Sequence, residues 1–192
     1  MNNKFILIGI GILAIALVFV VLPGRVPKQN ATGDGVSDPV ERLYNLDPQR
    51  QFIGANVDNV ELRDIITGKN VNLDDFSDKV VVIESFSVGC PACAEGIKLF
   101  SQIYDKYGSN VVIVYVDINP ADTEQDILNI KRKYDGKDWV WIKYASELQG
   151  FLSKYGIEGN DITYIIKNNK IEYADSLSAP FSRIDKAVGS LI

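Results

Sequence analysis

The run VVVIESFSVGCPACAEG, Val80 to Gly96, constrains the fold more than any other part of this chain. Val80 to Phe86 is apolar at almost every position, and a strand without a polar face must be buried on both sides, inside a sheet covered by helices. A short turn later, Cys90-Pro91-Ala92-Cys93 opens a stretch in which Ile97, Phe100, Tyr104 and Tyr107 recur at helical spacing until Gly108 stops it. Strand, tight turn and helix in that order make the first half of a β-α-β unit.

The pattern then repeats. VVIVYVDI reads as a second buried strand, and Asn119-Pro120 is expected to open an amphipathic helix through about Tyr134, with Ile127, Ile130 and Tyr134 on one stripe. WVWIKY is a third strand, SELQGFLSKYG a short helix, and TYIIKNNKIEYA a hairpin turning at Asn168-Asn169. A last helix runs from about Pro180 to Leu191. Upstream, NVELRDIITGKNVNLDDF gives two short strands around Gly68-Lys69, and Asp38-Pro39-Val40-Glu41 carries the signature of a helix start. The predicted class is α/β, with a mixed central sheet flanked by helices.

At the N-terminus, Phe5 to Leu22 is an uncharged run of roughly 18 residues, long enough as a helix to match the hydrocarbon thickness of a bilayer. Residues 1–22 are therefore expected to be a membrane anchor. A signal peptide is the rival reading, disfavoured because Pro23-Gly24-Arg25 follows the run in place of a small-residue cleavage site. Residues 23–51, rich in Pro, Gly and small polar side chains up to Ser37, read as a tether with a short lead-in helix, and residues 52–192 as one folded domain. Lys4 on one side of the run is matched by Arg25 and Lys28 on the other, so charge does not set the orientation.

Composition removes whole classes of function. The net charge of −5 gives no basic excess for a phosphate backbone, so nucleic acid is not an expected partner. The chain has no histidine, hence neither the commonest general base nor the commonest transition-metal ligand, and its two cysteines cannot close a four-ligand zinc site alone. Thiol chemistry is what remains.

With Cys90 as the cap of a helix, Pro91 fits the first helical position and the amides of Ala92 and Cys93 can point at the Cys90 sulfur. Those donors and the helix dipole favour thiolate, which makes Cys90 the expected nucleophile. Cys93 lies one helical turn on, within disulfide range, and would be the less exposed resolving thiol. A static disulfide, or a soft-metal site such as Cu(I), is the blander reading of the same pair. Glu84 shares a strand face with Val80, Val82 and Phe86; if buried there, its carboxyl should hold its proton unusually well and can exchange it with the thiols. The alternative is a wet edge position. Glu95 reads as a first-turn charge complementing the helix dipole.

From about Phe52 to Ile192 these residues resemble the thioredoxin superfamily, in particular the membrane-anchored thiol-disulfide oxidoreductases of the TlpA/ResA type (redoxins). Gly68-Lys69, Leu73-Asp74-Asp75-Phe76 and Asp78-Lys79 stand before VVVIESF in the order that family uses, and Glu84 stands six residues before Cys90, where thioredoxins carry a buried acid. The resemblance implies a thioredoxin-like fold and a redox-active disulfide with no further cofactor and no metal. It also implies substrate contacts at Pro91, Ala92, Asn160, Asp161 and Ile162. The implied partners are cysteine-containing client proteins and a membrane or soluble electron donor, with the domain outside the cytosol on a single-pass plasma-membrane anchor.

Two departures stand out. Gly89 replaces the aromatic residue that usually precedes the first cysteine, and Asp161 falls where the family has its cis-proline. The Asn160-Asp161 bond is expected to be trans, because a cis bond before a non-proline residue costs roughly 3 kcal/mol. The Asp161 side chain is expected to face solvent. The histidine-free Pro91-Ala92 pair leans the chemistry toward reduction of clients. A non-catalytic binding or metal-handling module and a peroxiredoxin-like peroxidase are the competing functions; against the latter, Ser87 stands three residues before Cys90 and no arginine is near in sequence.

Overall fold

A computed structural model describes residues 38–192 of the chain, with the exception of Asp135, Asp138 and Leu177. The expected anchor and the tether up to Ser37 lie outside the described residues. Among the described residues no helix is long and apolar enough to cross a membrane.

The lead-in follows the sequence closely. Helix α1 (Pro39–Asn45) is capped by the Asp38 carboxylate, which accepts from the Val40 amide at 3.0 Å. Strands β1 (Glu61–Arg63) and β2 (Asn70–Asn72) pair antiparallel around the Gly68 turn. The main sheet has five strands in the order β5-β4-β3-β6-β7, built from β3 (Val80–Phe86), β4 (Val111–Asp117), β5 (Val140–Ile142), β6 (Thr163–Lys167) and β7 (Lys170–Asp175). β3, β4 and β5 run parallel, whereas β6 pairs antiparallel with β3 and with β7, so the sheet is mixed. β6 and β7 form the expected hairpin, and Asn168 and Asn169 at its turn both hold positive φ, a backbone that asparagine tolerates better than most residues.

Every residue of β3 is buried, as its sequence demands for the centre of a sheet covered on both faces. One face carries Val80, Val82 and Phe86 against α2 (Pro91–Tyr107), α3 (Glu124–Lys133) and α5 (Phe181–Gly189), which contribute Ile97, Phe100, Ile127, Ile184 and Val188. The other carries Val81 and Ile83 against the lead-in segment and α4 (Gln149–Lys154). On α2 the fully buried stripe runs through Ile103; Tyr104 and Tyr107 flank it, and the Tyr107 hydroxyl donates to Asp185 Oδ1 at 2.8 Å, fastening α2 to α5.

One boundary differs from the sequence reading. Asn119-Pro120 does not start α3; the helix begins at Glu124, because Thr123 and Asp126 satisfy each other's amides as a capping box. Residues 119–122 form instead a loop in which Asn119 Nδ2 donates to Asp122 Oδ1 at 2.6 Å. That loop lies beside the cysteine segment.

Candidate active site

The cysteine pair sits where β3 hands over to α2. Gly89 holds φ 88, which turns the chain sharply between strand and helix, and Cys90 then caps α2 with extended backbone and Pro91 behind it. Cys90 and Cys93 are joined by a disulfide with their Cα atoms 5.4 Å apart. The Cys93 amide donates to Cys90 Sγ at 3.1 Å; Ala92 has no such contact, so one amide and not two addresses the sulfur. Cys90 is half-buried while Cys93 is 3% exposed, the asymmetry expected of an attacking and a resolving thiol.

Pro91 and Ala92 are exposed beside the disulfide, as a substrate contact requires. A groove of about 370 Å³ runs along the pair, walled by Phe86, Val88 and Pro91 on one side and by Ile130, Lys133 and Tyr134 on the other. In the sequence Ile130 and Tyr134 are legible only as the inner stripe of an amphipathic helix. Folding turns the end of that stripe toward the cysteines, where it forms a wall.

Glu84 lies under the first turns of α2. Its carboxyl is 1% exposed; Oε2 accepts from the Thr163 hydroxyl at 2.6 Å, and Oε1 has no hydrogen-bond partner. Register places it in a row across the sheet, Trp141-Tyr115-Glu84-Thr163-Asp175, each residue paired with the next on the neighbouring strand. Burial pushes the Glu84 carboxyl well above its ordinary value, opposed by the Thr163 hydrogen bond and reinforced by the nearby charges of Asp161 and Asp175. The Tyr115 hydroxyl donates to the Cys93 carbonyl oxygen at 3.4 Å, tying the row to the helix that carries the disulfide.

The segment expected to replace a cis-proline loop is only partly as foreseen. No cis peptide occurs among the described residues. Asn160 is exposed, available to a substrate. Ile162, in contrast, is 4% exposed, its amide donates to Ser85 Oγ, and its carbonyl accepts from the Ser85 amide. Asp161 is only partly open to solvent, its side chain not turned outward as expected. It holds φ 65, its amide donates to the Ser85 carbonyl at 2.8 Å, and its half-buried carboxylate turns inward, accepting from the Ser178 hydroxyl and lying beside Glu84. The inward turn follows from the left-handed backbone and the Ser178 anchor, neither of which is visible in the local sequence. Asp161, Glu84, Thr163 and Ser178 line a second pocket of about 90 Å³ on the far side of α2 from the groove.

Behind the cysteine turn, the Asp122 carboxylate accepts from the Val88 amide, and buried Asp117 accepts from the amides of Asn119 and Tyr144. Among the described residues no cluster of side chains stands where it could hold a metal ion.

Comparison with known proteins agrees with this geometry. The redoxin family profile matches residues 53–188, and the chain belongs to that family. A curated relative, thiol-disulfide oxidoreductase ResA of Bacillus thuringiensis, is 24% identical over 129 residues, 67% of this chain and 72% of its own length. Among solved structures, a thioredoxin-family thiol:disulfide interchange protein from Chlorobium tepidum superposes with a TM-score of 0.63 at 15% identity, over 72% of this chain and 96% of that one. The exposed lipoprotein thioredoxin of Streptococcus pneumoniae superposes with a TM-score of 0.59 at 20% identity, over 70% of this chain and all of that one. These likenesses establish a thioredoxin-like fold.

Proposed function

We propose that this member of the redoxin family is a thiol-disulfide oxidoreductase, tethered to the membrane through residues 5–22, that exchanges the Cys90-Cys93 disulfide with cysteine-containing proteins. One observation carries the proposal: a disulfide at a helix start, with Cys90 reachable from an open groove and Cys93 buried behind it. The names of the curated relative and of the structural neighbours support the same chemistry.

In the reducing direction, the Cys90 thiolate attacks one sulfur of a client disulfide. A Cys90-client bond forms and the client's other sulfur leaves as thiolate. Cys93 then gives up its proton and attacks Cys90 Sγ, closing the Cys90-Cys93 bond and releasing the second client thiolate. The client has gained two electrons, and an electron donor restores the dithiol. The Cys93 amide and the dipole of α2 stabilise the Cys90 thiolate, and buried Glu84 is the group to which the proton exchange is assigned. Reduction of clients is favoured over strong oxidation because the two residues between the cysteines, Pro91 and Ala92, carry no charge to stabilise the thiolate further. The apolar run ahead of the tether supports a location at the plasma membrane with the domain outside the cytosol, the compartment where protein disulfides persist.

Reduction of insulin disulfides by the full-length chain, compared with Cys90→Ser and Cys93→Ser, tests the activity. Turnover should vanish in both variants, and Cys93→Ala should accumulate mixed disulfides that identify the clients. Equal rates in all three proteins would leave a non-catalytic binding module as the better account. A potential near about −270 mV would support the reducing direction and one near about −120 mV the oxidising one.

A further inference from the structure

Glu84 Oε1 is buried, aimed into the 90 Å³ pocket and without a donor. An unpaired carboxylate oxygen in that position is costly, yet the group beside it is another carboxylate. Two oxygens, Glu84 Oε1 and Asp161 Oδ1, both lie within 4 Å of one point, the place where a Cβ on Gly96 would stand, at 3.5 and 3.9 Å from it. Two carboxylates so placed cannot both be ionised at little cost, whereas a single shared proton satisfies both. Their settings differ. Glu84 is sealed under α2, while Asp161 is half-exposed at the pocket wall and anchored by the Ser178 hydroxyl. The pocket has room for water, and the exposed residues Ala92 and Glu95 help line it.

We propose that Glu84 and Asp161 hold one proton between them and that Asp161 is the positioning residue through which the buried carboxyl exchanges this proton with solvent during disulfide exchange. The inference rests on the oxidoreductase reading above. When Cys93 closes the disulfide, its proton passes to Glu84 while the proton already on the pair leaves to solvent through Asp161; reduction runs the two transfers in reverse, so the pair carries one proton before and after each step and protons balance across the cycle. The other groups facing Glu84 are accounted for. Tyr115 from β4 is a buried phenol that stays protonated, Asp175 from β7 lies beyond Thr163, Glu95 from α2 is exposed and lines the pocket, and Arg183 of α5 acts on Asp175.

The test uses the full-length chain with Asp161→Asn and Asp161→Gly, two residues that accept the left-handed backbone at this position. Reduced-minus-oxidised infrared difference spectra followed over pH read the protonated carboxyl of Glu84 directly, with Glu84→Gln assigning the band. The midpoint of that band should fall by about one pH unit or more in both Asp161 variants, the size of a like-charge coupling. The pH midpoint of the resolving step, measured by release of a chromogenic thiol from a Cys90 mixed disulfide, should move with it. An unchanged band and rate midpoint in variants that still exchange thiols would overturn the proton-sharing pair. Loss of exchange in the unmutated chain would instead overturn the oxidoreductase reading.

Discussion

The Asp122 carboxylate accepts a 2.6 Å hydrogen bond from the Val88 amide, two residues ahead of Cys90. Val88 belongs to the turn that delivers the cysteines to the start of α2, and the same carboxylate is held by Asn119 Nδ2. Asp122→Ala removes the acceptor and leaves a part-buried amide unpaired, at a cost of about 1–3 kcal/mol. Urea unfolding should show that loss. Thiol exchange should slow even where the variant is fully folded, because the turn that aims Cys90 is released; an unchanged rate would mean the turn is held by packing alone.

Two glycines in helices make opposite predictions. A Cβ at Gly96 would stand 3.0 Å from the Tyr115 hydroxyl and 3.5 Å from Glu84 Oε1, whereas one at Gly150 meets nothing within 4 Å. Gly96→Ala should destabilise the fold by about 1–3 kcal/mol through overpacking, in spite of the better helix propensity of alanine. Gly150→Ala should stabilise it by up to about 1 kcal/mol. Urea midpoints of the two variants, moving in opposite directions from the parent, check both.

Buried carboxylates give the stability a definite slope with pH. Burial, more than the neighbouring Asp122, raises Asp117 to about 6, and burial chiefly raises Asp175 to about 7, with Asp47 and Asp161 adding to it and Tyr173 and Arg183 opposing. An acid raised in the folded state binds its proton more tightly than the unfolded chain does. Its stabilising share is therefore complete below about pH 4, near the unfolded value, and is lost as pH climbs toward about 6 for Asp117 and about 7 for Asp175. Unfolding free energy should fall between about pH 4 and about pH 7, and Asp175→Asn should flatten the upper part of that fall. A parent curve that stays flat over the interval would show that these carboxylates ionise as freely in the folded chain as in the unfolded one.

Lys133 stands in the wall of the groove beside the disulfide. Reversing it with Lys133→Glu should slow reduction of the Cys90-Cys93 bond by an anionic thiol such as glutathione by roughly fivefold at low salt, the effect of about 1 kcal/mol between nearby charges in water. Reduction by a neutral thiol should be unaffected, and 1 M salt should erase the difference. Equal slowing of both reductants would point to a steric or structural change.

Much of the candidate site is legible in the sequence. Cys90, Cys93 and Glu84 each follow from a local signal: a proline at a helix start, a spacing of one turn, and an acid on an apolar strand. The start of α3 is not fixed by local signals, because Asn119-Pro120 and Thr123 both carry them and the reciprocal bonds of Thr123 and Asp126 prevail. The burial of Ile162 is not legible, because nothing in its neighbourhood shows that Ser85, far away in sequence, takes up its backbone.

The sequence by itself determined the order of strands and helices, the burial of β3 and the placement of the cysteines at a helix start, since all of these depend on neighbours within a turn or two. Only the tertiary structure decided that Tyr115, Glu84, Thr163 and Asp175 form one row, that α3 walls the groove, and that Asp161 turns inward to Glu84. Register between strands distant in the chain and the approach of a loop to a buried carboxylate are set by packing across the whole sheet. No local pattern encodes a contact whose energy arises only when both partners have been brought out of water together.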